Sequence, residues 1–597
     1  MRELPRFYIL IFLFFSTLTL SAQNVSLANN YVEQGEYEKA KSIYEKLNEQ
    51  NPNKQDYLLG LADVYIQLNE FDKAQNLLKN YISKPGIYPN IFIELGHTYQ
   101  IQNDSVQAKG WYVKAIDIVK ERSVFAYSTG RAFQKHNLLD YAIQTYEIAN
   151  SDEPRINYKI ELAKLYGEKG NQKLMFDNYI DLIIDNEKYL EVIQRNLSEY
   201  INSDAQNESN LILKRVLLQK LQENPNIIYN QILSWVFIQE ESFNSSFAQE
   251  KAIFKRTQLK DFGRLFDLAE VTTEAEDYST AQDIYDFVIE ESQSIEIKLA
   301  AVENKMEVRL LRKDKASDIS KSFLSYFETY GYNAQTLGLQ LLYADFLAFN
   351  QNQWQKASTI LEEAISINTN RFMEAQIQML SADILVAQEQ YNQALVKYSL
   401  VSKRVKNTPL AQEAKYKTAM ASYYKGDFSW ALTQLNVLKK ATTQTIANDA
   451  LEMAMFIKQG KSEVDSTQQA LKSIAKADLM VYQSKPNEAL LQLDSLVNIT
   501  DNYHILDQAL YKKAQVLESL GQYQKAASQY NQIIVEHPES IVVDNALFKL
   551  GKLQLKELGK PEEAQQNLEF LIFNHQDSIF FVEARKLYRQ LREDQNL

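Results

Sequence analysis

The chain has 597 residues with only 16 Gly and 10 Pro, well under the roughly 12% those two types reach in average proteins. So few turn formers exclude sandwiches, barrels and propellers, and the apolar fraction of 45% with 24% charged residues excludes a disordered or collagen-like chain. Lys+Arg at 64 against Asp+Glu at 77 leave a formal net charge of −13, which repels a phosphate backbone and excludes nucleic acid as a ligand.

In chain order, the first segment carries Arg2 and Arg6, then the uninterrupted apolar run Phe7 to Leu20, then Ser21-Ala22-Gln23. A basic stretch, a short apolar core and a small residue before a polar one are the three parts of a secretory signal, with cleavage expected near Ala22. That core is too short to span a bilayer comfortably, and no later run is long and apolar enough to do so. The mature chain is therefore expected to lack a transmembrane segment and to reside in the periplasm of a Gram-negative cell, possessing neither disulfide nor thiolate metal site. With zero cysteines there is also no acceptor for a covalent lipid.

Beyond the signal the chain repeats itself. Ala28, Ala62, Gly96 and Gly130 recur every 34 residues, and Ala163 follows after 33. Three residues after each stands an aromatic (Tyr31, Tyr65, Tyr99, Phe133, Tyr166), and twelve after each stands Ala40, Ala74, Ala108, Ala142 or Met175. Sixteen after each stands a large residue: Tyr44, Leu78, Tyr112, Tyr146 and Tyr179. The pattern resembles the tetratricopeptide repeat, a pair of antiparallel helices with small residues at repeat positions 8 and 20 and large ones at 11 and 24. Small side chains let the two helices cross closely, and the large ones fill the groove beside the crossing. Position 15 holds Gly35, Asn69, Asn103, Asn137 and Gly170, where the first helix must end in a left-handed residue.

Later units carry Ala269, Ala281 and Tyr285; Asp345, Ala357 and Leu361; Ala382, Ala394 and Tyr398; Ala419, Gly426 and Ala431; Ala477 and Ala489; and Ala514, Gly521, Ala526 and Tyr530. A last pair has Gly551, Ala564 and Leu568 with one inserted residue, and Ile579 to Glu593 reads as a polar-faced capping helix. The match weakens at about 186–264, 290–340 and 440–475. The resemblance implies an all-α, right-handed superhelical solenoid of antiparallel helix pairs. Its plan is a signal at 1–22, a five-repeat array at 23–186, degenerate helical repeats at 187–264, a middle array at 265–460 and a C-terminal array at 461–597. An isolated pair buries too little apolar surface to stand alone, so neighbours must stack and leave a concave groove of first helices open.

No enzyme motif survives inspection. His97, His136, His504, His537 and His575 are scattered without metal-ligand spacing, and Gly460-Lys461-Ser462 has Met455 where a phosphate loop requires glycine. Gln239-Glu240-Glu241-Ser242 resembles the catalytic string of soluble lytic transglycosylases, but the glycine-rich segment that follows it there is absent. No cofactor is expected. The carboxylate clamp of chaperone-binding repeats is missing too, since Val25 stands where it needs Lys. Groove positions nearer the C-terminus are Tyr416, Lys417 and Tyr423, then Tyr511 and Lys512, then Phe548, Lys549 and Lys552, with Lys556 one turn on. Aromatics beside ammonium groups would clasp an acidic extended chain, and replacing Lys549, Lys552 and Lys556 by Glu would abolish that capture. Residues such as His537-Pro538 and Glu583-Ala584-Arg585 in the last 120 resemble the repeats of Gram-negative envelope proteins of the cell-division and β-barrel-assembly kinds. The resemblance implies a non-catalytic scaffold binding envelope proteins, or alternatively a periplasmic peptide-binding chaperone or an accessory to a peptidoglycan-active enzyme.

Overall fold

No strand occurs among the described residues. The computed structural model describes residues 24–86, 88–152, 157–257, 261–439, 444–460, 468–499 and 503–594; the expected signal at 1–22, Lys461 and Ser462 lie outside them. The chain divides into two compact units, Met1–Arg264 and Leu265–Leu597.

The first unit opens with five helix pairs: α1 (24–33) with α2 (Tyr37–Gln50), α3 (Gln55–Gln67) with α4 (Phe71–Ile82), α5 (Pro89–Ile101) with α6 (Ser105–Glu121), α7 (Ala126–Lys135) with α8 (Leu139–Asp152), and α9 (Lys159–Glu168) with α10 (Gln172–Asp185). Two less regular helices, α11 (Leu190–Leu197) and α12 (Glu208–Glu223), precede a sixth pair, α13 (Ile227–Gln239) with α14 (Phe243–Arg256).

The second unit runs through α15 (Gly263–Glu274) with α16 (Tyr278–Glu291), α17 (Ile295–Leu311) with α18 (Ala316–Tyr330), and α19 (Leu337–Asp345), prolonged by a π-helical turn Phe346–Asn350, with α20 (Trp354–Ala364). Then come α21 (Arg371–Ala387) with α22 (Tyr391–Arg404), α23 (Pro409–Tyr424) with α24 (Phe428–Leu438), and the single helix α25 (Gln444–Gly460). The series ends with α26 (Gln469–Tyr482) and α27 (Pro486–Ile499), α28 (Tyr503–Ser519) and α29 (Tyr523–Glu536), α30 (Val543–Lys556) and α31 (Pro561–Asn574), and α32 (Phe581–Asp594).

One backbone device makes each pair. Gly35, Asn69, Asn103, Asn137 and Gly170 have φ of 72, 60, 63, 55 and 73°, the left-handed conformation that ends a helix. The next amide then donates to a carbonyl five residues back: Glu36 to Tyr31 at 2.8 Å, Glu70 to Tyr65 at 2.8 Å, Leu138 to Phe133 at 2.9 Å and Asn171 to Tyr166 at 2.8 Å. The acceptors are the position-11 aromatics of the sequence pattern. The same left-handed turn recurs at Glu241, Glu276, Lys313, Asn352, Glu389, Gly426, Ser484, Gly521 and Gly559.

At the crossings Ala40, Ala74 and Ala142 are fully buried and Ala108 is 2% exposed. A Cβ on Gly96 would come within 2.5 Å of the Tyr112 ring, and one on Gly130 within 2.3 Å of the Tyr146 ring. In these two hairpins the position-24 tyrosine ring takes the space that a position-8 side chain would fill.

Within 186–264 and 290–340, where the sequence pattern is weak, helix pairs still form by substituted chemistry. In α13/α14 the crossing residues are Ser234 and Ser246, whose hydroxyls meet at 2.9 Å. There the position-24 aromatic gives way to Glu250, which accepts two hydrogen bonds from Arg264 at 2.8 and 2.6 Å. In α17/α18 the crossing is made by Met306 and Ile319, both buried, with one residue inserted after the turn. Among the described residues of 187–264, α11 and α12 are the helices that lack the left-handed turn.

Gly130→Ala should destabilise the first unit by about 1–3 kcal/mol through overpacking. Gly110→Ala should stabilise it by up to about 1 kcal/mol, because Gly110 sits in a helix with nothing within 4 Å of its added Cβ. Urea unfolding followed by circular dichroism reads both.

Candidate functional site

In the first unit the first-helix face carries a charged cluster that the sequence spacing hid. His97 of α5 and His136 at the end of α7 stack with centroids 3.8 Å apart, so two of the five histidines are neighbours after all. Adjacent first helices lie side by side, and the repeat period brings residues 39 apart to nearly one height. Glu94 is buried beneath them; its Oε1 lies 3.0 Å from His136 Nε2 and accepts a hydrogen bond from Lys135 Nζ at 3.0 Å. Burial alone would raise the Glu94 carboxyl, but His136 and Lys135 hold it down at about 2. Burial, with the neighbouring His136, lowers His97 to about 4.

The lytic-transglycosylase-like string is absorbed into structure. Glu241 is the left-handed turn residue at φ 54°. Glu240 is buried, paired with Lys214 at 2.6 Å and with the Asn210 amide at 3.0 Å.

In the second unit the groove of the middle pairs is occupied by the chain itself. The α26 helix lies across the first-helix face of α19, α21 and α23. Asp478 accepts from the Tyr423 hydroxyl at 2.9 Å, the Gln483 amide donates to the Ala387 carbonyl at 2.8 Å, and the Tyr482 ring meets Phe349 edge-on at 5.5 Å. In the other direction α25, which follows α24, lies on α28 and α30: Gln508 donates to the Phe456 carbonyl at 3.2 Å and Asn545 to Glu452 at 3.1 Å. A single apolar cluster from Ala419 through Phe456, Ile474 and Leu493 to Val516 fuses these helices.

That arrangement relocates the residues singled out from sequence. Tyr423, Tyr511 and Phe548 are core side chains, at most 3% exposed, and cannot clasp a passing chain; Phe548 stacks on Phe580 at 4.5 Å. Tyr416 is half-buried against the cluster joining α23 to α28. Lys417 is engaged by Asp383 at 2.7 Å and Glu413 at 3.2 Å, and Lys512 by Asp478 at 3.4 Å. Lys552 pairs with Glu583 at 3.2 Å. Lys549 is half-buried and offsets the effect of burial, which raises the Glu452 carboxyl. Lys556 alone of the three lysines is exposed. The amphipathic numbering was right about which helices line the groove and blind to the helix that fills it.

The geometry defines a helical-repeat protein whose hairpins are closed by a common left-handed turn. Two segments match tetratricopeptide-repeat family models, residues 31–84 and 508–540, so tetratricopeptide repeats are present in both units. No curated protein matches the sequence. Among solved structures the chain is similar to one in the Naa15/Naa10 structure bound to HypK-THB, at 13% identity over 96% of each chain with a TM-score of 0.26. It is similar to one in the APC/C hetero-tetramer Cut9-Hcn1, at 13% identity over 94% of this chain and 95% of that one with a TM-score of 0.23. It is also similar to the P58(IPK) TPR domain, at 14% identity over 69% and 99% with a TM-score of 0.19. No described helix is long and apolar enough to cross a membrane.

Two outcomes follow from the buried charges. His97 takes a proton more readily unfolded than folded, so the stability it confers is present above pH ~6.5 and lost as pH falls towards its folded value of about 4. Hydrogen exchange of α5 and α7, corrected for intrinsic rates, should accelerate across that window in the parent and much less in His97→Gln. Lys417→Met strands the buried Asp383 carboxylate and should cost about 3–5 kcal/mol, whereas Asp383→Asn with Lys417→Met should recover most of that loss. Urea unfolding of the pair of variants is the measurement.

Proposed function

We propose that the chain is a non-catalytic docking scaffold for other proteins in the periplasm, working within an outer-membrane-linked assembly, secretion or division machine. One observation carries the reading: four of the most buried carboxylates of the helix faces are engaged in holding helices together. Glu94 meets Lys135 and His136, Glu240 meets Lys214, Glu250 meets Arg264, and Asp383 meets Lys417. Each would need to be free, or aimed into a cavity, to act as an acid or base. Meanwhile large apolar side chains such as Trp430 and Phe573 stand exposed, which is the composition of a surface that meets other proteins. The basic and apolar N-terminal segment supports export, and the repeat architecture supports protein recognition.

The test is in-cell crosslinking of the tagged protein followed by affinity capture and mass spectrometry. One stoichiometric set of envelope proteins is the expected result; a broad client list would replace the scaffold by a chaperone. The intact mass of the isolated protein should correspond to a chain beginning near Gln23, and retention of residues 1–22 in the isolated protein would remove the periplasmic part of the reading.

A further inference from the structure

With both grooves of the second unit filled from within, a partner needs another surface, and one stands at its C-terminal end. The core-facing stripe of α32 holds Ala584 and Leu591, buried against Val543, Leu568 and Leu571. Beside it runs a second stripe, Phe581, Arg585, Tyr588 and Arg592, spaced i, i+4, i+7 and i+11, with Arg589 adjoining. This stripe and the end of α31 enclose an open cleft of about 650 Å³ lined by Ile572, Phe573 and the three arginines among others. Phe573 is 66% exposed there, while Tyr588 is steadied by a hydrogen bond from its hydroxyl to Glu569 at 3.2 Å.

The charge is as unusual as the shape. The chain is net −13 and contains sixteen arginines, yet three of them fall within eight residues on this one helix. All three are exposed. Arg585 and Arg589 have no ion-pair partner among the described residues, in contrast to Lys417, Lys512 and Lys552. Arginine and aromatic side chains together are the composition enriched at the energetic centres of protein interfaces. The stripe spans twelve residues of helix, an axial rise of about 16 Å or roughly three helical turns.

We propose that this cleft docks an amphipathic helix of a partner protein, its apolar residues over Phe573 and Phe581 and its carboxylates against Arg585, Arg589 and Arg592. Guanidinium groups suit such a helix because each can hold a carboxylate through two parallel hydrogen bonds. The proposal rests on the scaffold reading and gives its partner a chemistry.

The experiment uses the full purified chain and two labelled helical peptides of roughly four turns, identical in their leucine face and differing by Glu or Lys on the other. Fluorescence anisotropy should show the Glu peptide binding and the Lys peptide not, with affinity falling as salt rises. Arg585→Glu with Arg589→Glu and Arg592→Glu should weaken it by more than about 10-fold, and Phe573→Ala, which removes no charge, by about 5-fold or more. The same number of reversals at Lys109, Lys114 and Lys120 of α6 should leave binding unchanged; circular dichroism checks that every variant keeps its helicity. Equal binding of the two peptides, or equal weakening by the α6 reversals, would overturn the proposal. So would concentration-dependent sedimentation of the chain abolished by the arginine reversals, which would make a second copy the occupant. If crosslinked capture recovers one complex that the arginine reversals do not disturb, the scaffold stands and this surface falls. If the Glu peptide binds as expected and capture recovers no partner, the surface stands and the scaffold reading falls.

Discussion

The left-handed residue between the helices of each pair is the constraint on which everything else depends. It stops the first helix and lets the following amide bond back to the position-11 carbonyl, fixing where the second helix departs. Once the departure is fixed, the two helices cross at one height, where small side chains let them approach most closely. This is why Ala40, Ala74 and Ala142 have no exposed surface and why the Tyr112 and Tyr146 rings occupy the space beside Gly96 and Gly130. First helices then line up side by side, which brings His97 to His136 and buries Glu94 beneath them. A local backbone rule thus produces long-range chemistry without any residue being selected for that chemistry in isolation.

The second unit shows what happens when the rule lapses once. After α24 the chain enters α25, which packs as a first helix but is not followed by a partner; α26 leaves it and begins a new series. The two helices then exchange places. The last helix of one series covers α28 and α30, and the first helix of the next covers α19, α21 and α23. Covering a groove lined with Asp383, Lys417, Tyr398 and Tyr423 removes water from charges that an open groove would hydrate. The structure answers with pairs: Lys417 to Asp383, the Tyr398 hydroxyl to Asp383 at 2.6 Å and the Tyr423 hydroxyl to Asp478. Buried carboxylates tolerate such a place only when each has its cation or hydroxyl.

Sequence reading saw most of the hairpins because Gly and Asn at the turn and Ala at the crossing are the residues with least to lose there. It faltered where other residues take the same conformation. Glu241, Glu276, Lys313, Glu389 and Ser484 are all left-handed, at a cost of order 1 kcal/mol each that the surrounding helix contacts offset. Ser234 and Ser246 are as small as the alanines and glycines of the other crossings and carry the same signal in a different residue type. The filling of the groove was not legible at all, since α26 carries an ordinary first-helix pattern and nothing in its sequence states which side of α23 it will choose. The charged residues Lys417 and Lys512, expected from sequence to meet a partner, are instead engaged by carboxylates of the same chain. Conversely the arginine stripe of α32 was visible as spacing but overlooked, because a terminal helix was read as a polar cap.

A groove sealed by its own chain changes where recognition can occur. Removing α26 from α19, α21 and α23 would open the apolar cluster from Ala419 to Val516 and break the Tyr423–Asp478 and Gln483–Ala387 hydrogen bonds, so a partner would have to replace both an apolar helix and its polar contacts to compete. Few ligands match a covalently tethered helix, whose effective concentration is set by the chain that carries it. Surfaces that the fold has not already satisfied are the ones left to a partner, and these lie on outer faces and at series ends. There, at α31 and α32, exposed aromatic area coincides with Arg585 and Arg589, which have no ion-pair partner among the described residues. The same packing that closes the inner face of the second unit therefore directs binding to its edge.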